Sequence, residues 1–239
     1  MTMPQYRDAA TEISALLDLE QPPVAVAFVE QVPDGVETTT AVSPSACAFW
    51  RRGEQEVFFA AAAQHYNCPV GSMVMGFDMP AEVMQELGGL VETMCGWSYL
   101  GAEEGAKIPS VGGNAGGAVY GPLGSFPVTP KAVVMWLTPK QAMVFNEAIG
   151  TASWAATPAR VGGRPACAAI PLALGSATPT LSFGCIGMRT FTSIADDRML
   201  AVVPGDQIES FTAALRSTAE ANGKMLGFYQ SRLAAVTAS

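Results

Sequence analysis

Ser45-Ala46-Cys47-Ala48-Phe49, followed by Asn67-Cys68-Pro69-Val70-Gly71, is the stretch on which the fold reading turns, because the chain repeats its pattern later. The echo is Pro165-Ala166-Cys167-Ala168-Ala169, followed by Gly184-Cys185-Ile186-Gly187. Each copy has an Ala-Cys-Ala element, an apolar run, and then a Cys in a turn with a Gly close behind. The Cys–Cys intervals are similar, 21 residues in the first copy and 18 in the second. An internal duplication would place the two copies around a pseudo-twofold axis and carry four thiols toward one place.

The flanking sequence supports two comparable halves. Tyr6 to Leu19 has apolar residues at helical spacing and is stopped by Pro22-Pro23. Val24 to Val29 reads as a buried strand, Ala46 to Arg52 as a helix entered through Ser43-Pro44-Ser45, and Glu56 to Ala61 as the next strand. Pro69 suits the first turn of a helix capped by Asn67 or Cys68. Ala81 to Met94 reads as another helix. From Gly101 to Pro130 the density of Gly and Pro predicts a long surface loop around a short strand at Ala118-Val119-Tyr120, and a boundary between halves. The second half opens with a strand, Ala132 to Leu137, and a helix, Lys140 to Ile149, and carries further strands at Pro179 to Phe183 and Met199 to Val203. The expectation is an α+β protein: one domain over residues 1–239, two pseudo-repeated α/β halves at about 20–100 and 130–204, a mixed sheet with helices, and C-terminal helices over 206–236.

Composition narrows the function classes. Of 239 residues, 49% are hydrophobic and 14% charged, enough to bury one substantial core without disulfide or metal staples. A formal charge of −8 argues against nucleic acid, since neutralising phosphates needs clustered Lys and Arg, and Arg51-Arg52 makes only a local basic spot. The richest apolar run, Val57 to Ala63, is far short of the roughly 20 residues of a membrane span. With no apolar leader at the N-terminus and an odd number of cysteines, five, the expected location is cytoplasmic, where thiols stay reduced. Neither G-x-x-x-x-G-K-[ST] nor G-x-S-x-G occurs, and Gly112 to Gly117 lacks the strand-to-helix setting of a dinucleotide fingerprint.

The thiols carry the remaining chemistry. Cys68 and Cys185 sit where a strand hands over to a helix or turn, a position whose unpaired N–H groups favour thiolate. Gly71 and Gly187 allow close approach of a ligand there. Four thiolates, Cys47, Cys68, Cys167 and Cys185, would suit an iron–sulfur cluster or a soft metal, although no C-x-x-C occurs. Equally, Cys47 and Cys167 have the character of small buried packing residues, and Cys95, with no mate, reads as structural. Cys68-Pro69 also fits a thiolate ligand to haem iron, with His65, the one histidine, close by. Asn67 is the neighbouring cap. Arg189 is placed either to pair with an anionic ligand or to bind Asp196 or Asp197. Met73, Met75, Met79 and Met84 offer sulfur to copper(I), but their spacing suits core packing better. Three readings stand: a metallocofactor protein working with a small-molecule ligand or redox partner, a thiolate-ligated haem or tetrapyrrole protein, and a metal-free small-molecule binding domain under a Gly-rich lid.

Pro22-Pro23-Val24-Ala25-Val26, Asn67-Cys68-Pro69-Val70-Gly71, Trp136 to Met143 and Leu181 to Arg189 together resemble the DUF169 family, an uncharacterised family of bacteria and archaea. The likeness runs from about Ile13 to Leu215, and its most specific motifs are Cys-Pro-x-Gly and Gly-Cys-x-Gly-x-Arg. The resemblance implies a shared role for Cys47, Cys68, Cys167, Cys185 and Arg189, and it implies no particular reaction. Met188 stands where smaller residues are usual in the family, which points to an altered pocket there.

Overall fold

A computed structural model describes residues 1–113, 115–150 and 161–237 of the chain. In chain order the elements are α1 (Met3–Leu17), β1 (Val24–Val29), α2 (Ala46–Gly53), β2 (Phe58–Ala61), α3 (Pro69–Val74), α4 (Ala81–Gly96) and α5 (Ala102–Gly105). They continue with β3 (Gly117–Pro122), β4 (Ala132–Leu137), α6 (Pro139–Ala148), β5 (Val161–Gly162), α7 (Ala169–Ser176), β6 (Thr180–Ser182), α8 (Ile186–Thr192), β7 (Met199–Pro204) and α9 (Ile208–Thr237). Short 3-10 turns at Ala62–His65 and Ala166–Ala168 precede α3 and α7.

One seven-stranded sheet in the order β2-β3-β1-β4-β7-β6-β5 runs through the molecule. Every neighbouring pair is antiparallel except the short β5–β6 edge pair, which is parallel, so the fold is α+β with a mixed sheet. Its central strands read as continuous apolar runs because both faces are covered. Val24 and Val26 of β1, Val134 and Trp136 of β4, and Leu200 and Val202 of β7 pack on one face, into a core shared with α2, α3, α7 and α8. The alternate residues, Ala25 and Ala27, Val133 and Met135, Ala201 and Val203, pack on the other face against α1, α6 and α9. The period-2 alternation of side chains thus assigns each residue its layer.

Read outward from the β1–β4 pair, the sheet runs β1, β3, β2 on one side and β4, β7, β6 on the other. The order of strands is therefore alike on the two sides of that pair, although β3 lies outside the first half expected at about 20–100. It does not establish a duplication: β5 has no counterpart among the described strands, and residues 151–160 of the second half lie outside the described residues, as does Asn114 in the Gly-rich segment.

Several expectations need correction. The stretch expected to be a loop around a short strand holds β3, six residues long, with Ala118, Val119 and Tyr120 fully buried between β2 and β1. Its glycines are there because the sheet is tight: a Cβ on Gly117 would lie 2.4 Å from the Ala60 carbonyl oxygen, and one on Gly121 2.7 Å from Val57 Cγ2. The C-terminal segment is a single 30-residue helix, and beyond Leu215 its apolar side chains Met225, Leu226, Phe228, Tyr229 and Leu233 are exposed. No helix among the described residues is long and apolar enough to cross a membrane.

Candidate functional site

The helices on the α2 face begin at the four cysteines. Cys47 is the second residue of α2, Cys68 is the N-cap of α3 with Pro69 opening the helix, and Cys185 is the N-cap of α8. Cys167 sits in the 3-10 turn that leads into α7. All four side chains line one cavity of about 460 Å³. Cys47 and Cys167 are buried in its floor, while Cys68 and Cys185 are half-buried.

The backbone around the two turn cysteines is braced locally. The His65 carbonyl accepts hydrogen bonds from the Cys68 N–H (2.9 Å) and from the Ser72 hydroxyl (2.8 Å). Cys185 Sγ accepts from the Met188 N–H at 3.4 Å, a sulfur cap in the place usually taken by Ser or Asp. Gly71 is required for a close approach. A Cβ there would lie 2.9 Å from Cys68 Sγ and 2.9 Å from Ala46 Cβ. We therefore expect Gly71→Ala to displace the Cys68 thiol and to cost ~1–3 kcal/mol of folding stability, the usual range for overpacking. Urea titration checks the cost, and the rate of Cys68 alkylation checks the displacement. Gly187 meets only Phe191 Cε2 at 3.9 Å and leaves open space on the cavity wall.

Electrostatics tie the thiols together. Burial pushes the Cys47 thiol far above the ordinary thiol range, and repulsion from Cys167, Cys68 and Cys185 adds to the rise. Burial does the same to Cys167, with Cys68 and Cys185 contributing. The floor is thus neutral thiol at neutral pH, and ionising it calls for a cation to compensate. Tyr120, beneath it in β3, is raised by burial and then by the nearness of Cys47 and Cys167.

His65, Asn67 and Arg189 do not line the cavity. His65 is 1% exposed in an aromatic nest, with Phe77 and Phe49 ring centroids 4.4 and 4.9 Å away. Its Nδ1–H donates to the Ala61 carbonyl and its Nε2 accepts from the Tyr120 hydroxyl, each at 2.9 Å, which fixes a neutral tautomer. Asn67 is exposed and donates to the Ser43 carbonyl at 3.2 Å, bracing the approach to α2. Arg189 donates to the carbonyls of Phe183, Ala195, Asp196 and Arg198, closing the chain around α8. Of the methionines, Met75 is core, Met73 lines the cavity and Met84 is half exposed. Cys95 lies in the last turn of α4 and does not line the cavity.

Two parts of the site escaped the sequence reading. Ser45 takes the N-cap position of α2, yet its side chain makes no capping bond. Its Oγ is buried without a partner and the residue lines the cavity beside Cys47. The second part is the opposite wall, Leu87, Leu90, Val91 and Met94 of α4. Their i, i+3, i+4, i+7 spacing marks one stripe of a helix, but the pattern does not say what the stripe faces.

No three His, Cys, Asp or Glu side chains among the described residues are set to hold a single metal ion as they stand. No curated protein and no solved structure matches the chain. A family model does match: DUF169, described as an uncharacterised ArCR, over residues 12–213. That span contains all four cavity cysteines, Ser45 and α4, and the chain belongs to this family.

Proposed function

We propose that the protein binds a metallocofactor, an iron–sulfur cluster held by Cys47, Cys68, Cys167 and Cys185, and works with it on a small molecule or with a redox partner. The observation that carries this reading is the convergence of four thiols, from four separate helix starts, on one cavity. In a [4Fe–4S] cluster each thiolate binds its own iron, so the thiols stand farther apart than ligands of one ion do. The lack of a ready single-ion site is compatible with that spacing.

The donor set fits the group in kind. All four are free cysteines, two of them neutral in an apolar floor where a cationic cluster would offset the cost of ionisation. Ser45 brings a buried unpartnered hydroxyl to the lining, and hydrogen bonds to sulfur are a recognised control on cluster potential. The α4 side chains Leu87, Leu90, Val91 and Met94 make one wall of the cavity apolar. When bound, the cluster would supply one-electron transfer to whatever shares the cavity. The like strand order on the two sides of the β1–β4 pair supports an origin by internal duplication, with each half contributing one floor cysteine and one turn cysteine.

The tetrapyrrole reading has one observation in its favour, an apolar cavity with Cys68 at one side. It loses its companion residue, because His65 does not line that cavity. Anaerobic purification, followed by reconstitution with ferrous iron and sulfide in one arm and haem in the other, separates the readings. The expected result is uptake of iron and sulfide together, with broad sulfide-to-iron charge-transfer absorption. A folded protein that stays colourless and iron-free in the first arm overturns the cluster. Stoichiometric haem uptake in the second, lost in Cys68→Ala, establishes the tetrapyrrole instead.

A further inference from the structure

The thiols account for one side of the cavity only. Its volume, about 460 Å³, lies within the range of roughly 300–1,000 Å³ typical of sites for small organic ligands. The α4 stripe opposite the thiols is apolar throughout, and only Leu87 of that helix is buried. A ligand filling this side would add packing to α4, where Leu90, Val91 and Met94 remain partly exposed.

The mouth has a different character. A second pocket of about 290 Å³ adjoins the first and shares Tyr99, Arg164 and Cys185 with it, adding Arg189. Among the described residues, no Asp or Glu lines either one. In a chain with 21 acidic and 13 basic residues, the charged side chains lining the mouth are both arginines, and their carboxylate partners stand outside the lining. Arg189 is pinned by four neutral carbonyls, which hold the guanidinium without cancelling its charge. The Asp196 carboxylate stands 4.0 Å off and is fully exposed. Arg164 lies over the Tyr99 ring, 4.6 Å from its centroid, and pairs with Glu104 at 3.3 Å. Both partners are close to half exposed, so solvent screens that pair and an incoming anion can compete for the guanidinium.

We infer that the cavity binds an apolar organic acid, its hydrocarbon body along the α4 stripe and its acidic head at Arg164 and Arg189. This deepens the cofactor reading by naming the class of molecule that shares the cavity, and it is testable apart from the cofactor. Decanoate and decanol serve as a matched pair of probes, titrated calorimetrically into the full chain before and after iron–sulfide reconstitution. Decanoate is expected to bind one-to-one and on the order of tenfold more tightly than decanol, the worth of a partly desolvated charge contact. Arg164→Gln should remove most of that difference, and Val91→Trp, which fills the apolar side, should abolish binding of both probes. Leu90→Gln repeats the second test if Val91→Trp does not fold, with weakened binding of both probes expected. Equal affinity for acid and alcohol, no binding of either, or binding indifferent to the α4 substitutions overturns the inference. Decanoate binding that persists in a protein unable to take up iron would sink the cofactor alone and leave the inference standing.

Discussion

Replacing either floor cysteine, Cys47→Ala or Cys167→Ala, is expected to abolish cluster uptake while leaving the metal-free fold almost as stable as before. The two outcomes follow from one fact, that these thiols are buried and neutral. Without a cofactor each is a small packing residue, and removing one sulfur from a core costs ~1 kcal/mol, like deleting a buried methyl group. With a cofactor each is a quarter of the ligand set, and losing a ligand forfeits binding energy that only the folded state enjoys. Cys→Ser at the same positions is expected to be the worse substitution for the metal-free protein. It would bury a more strongly polar hydroxyl in the apolar floor, where desolvation costs ~1–3 kcal/mol. Iron and sulfide analysis after reconstitution, paired with urea unfolding of the metal-free proteins, checks both halves of the prediction. Iron content unchanged in Cys47→Ala and Cys167→Ala would reduce the floor pair to packing and end the four-ligand proposal.

The sequence was most informative where a residue type and its local setting point the same way. Val24–Val29 and Ala132–Leu137 read as buried strands and are buried strands, because an apolar run bounded by Pro or a helix cap has few other uses. The turn position of Cys68 and Cys185 was legible for the same reason, since each caps a helix just after a strand-like run. β3 was not legible as a central strand, because Gly117 and Gly121 look like loop residues. In fact they are small because Ala60 and Val57 press against them, and contacts between distant segments leave no local signature. The same limit hid the α4 wall and Ser45, whose roles depend on what lies across the cavity. His65 shows the converse limit. It is three residues from Cys68, yet one turn of 3-10 helix sends its ring down to the sheet while the Cys68 thiol faces the cavity. Nearness in sequence fixed the backbone relation and left the side-chain directions open.

Lowering the pH is expected to destabilise the protein through His65, and the sign and window follow from its burial. Desolvation brings its pKa down to about 4 from the ordinary 6.5. The folded pKa lies below the unfolded one, so between these values the unfolded chain binds the extra proton and stability falls as pH falls. The contribution is complete above about pH 6.5 and is lost progressively down through about pH 4, amounting to ~3 kcal/mol at 1.36 kcal/mol per unit. Two carboxylates share the acid range. Glu54, raised by burial despite Arg51 and its hydrogen bond from Trp136, acts in the opposite sense, and Glu12, lowered chiefly by its bond to Arg216, acts in the same sense on an exposed surface. Comparing the wild type with His65→Gln at pH 7 and pH 4.5 cancels both, because neither carboxylate touches the ring. The wild type should lose markedly more stability between these pH values than the variant, and equal losses would show that the imidazole does not titrate with unfolding. The consequence reaches the candidate site. Protonated Nε2 can no longer accept from the Tyr120 hydroxyl, and the His65 carbonyl is what holds the Cys68 N–H and the Ser72 hydroxyl. Acid should therefore loosen the Cys68 turn as the ring is expelled from its nest. Cys68 alkylation in the metal-free protein is expected to accelerate, relative to a free-thiol standard at the same pH, across the window in which His65 takes up its proton.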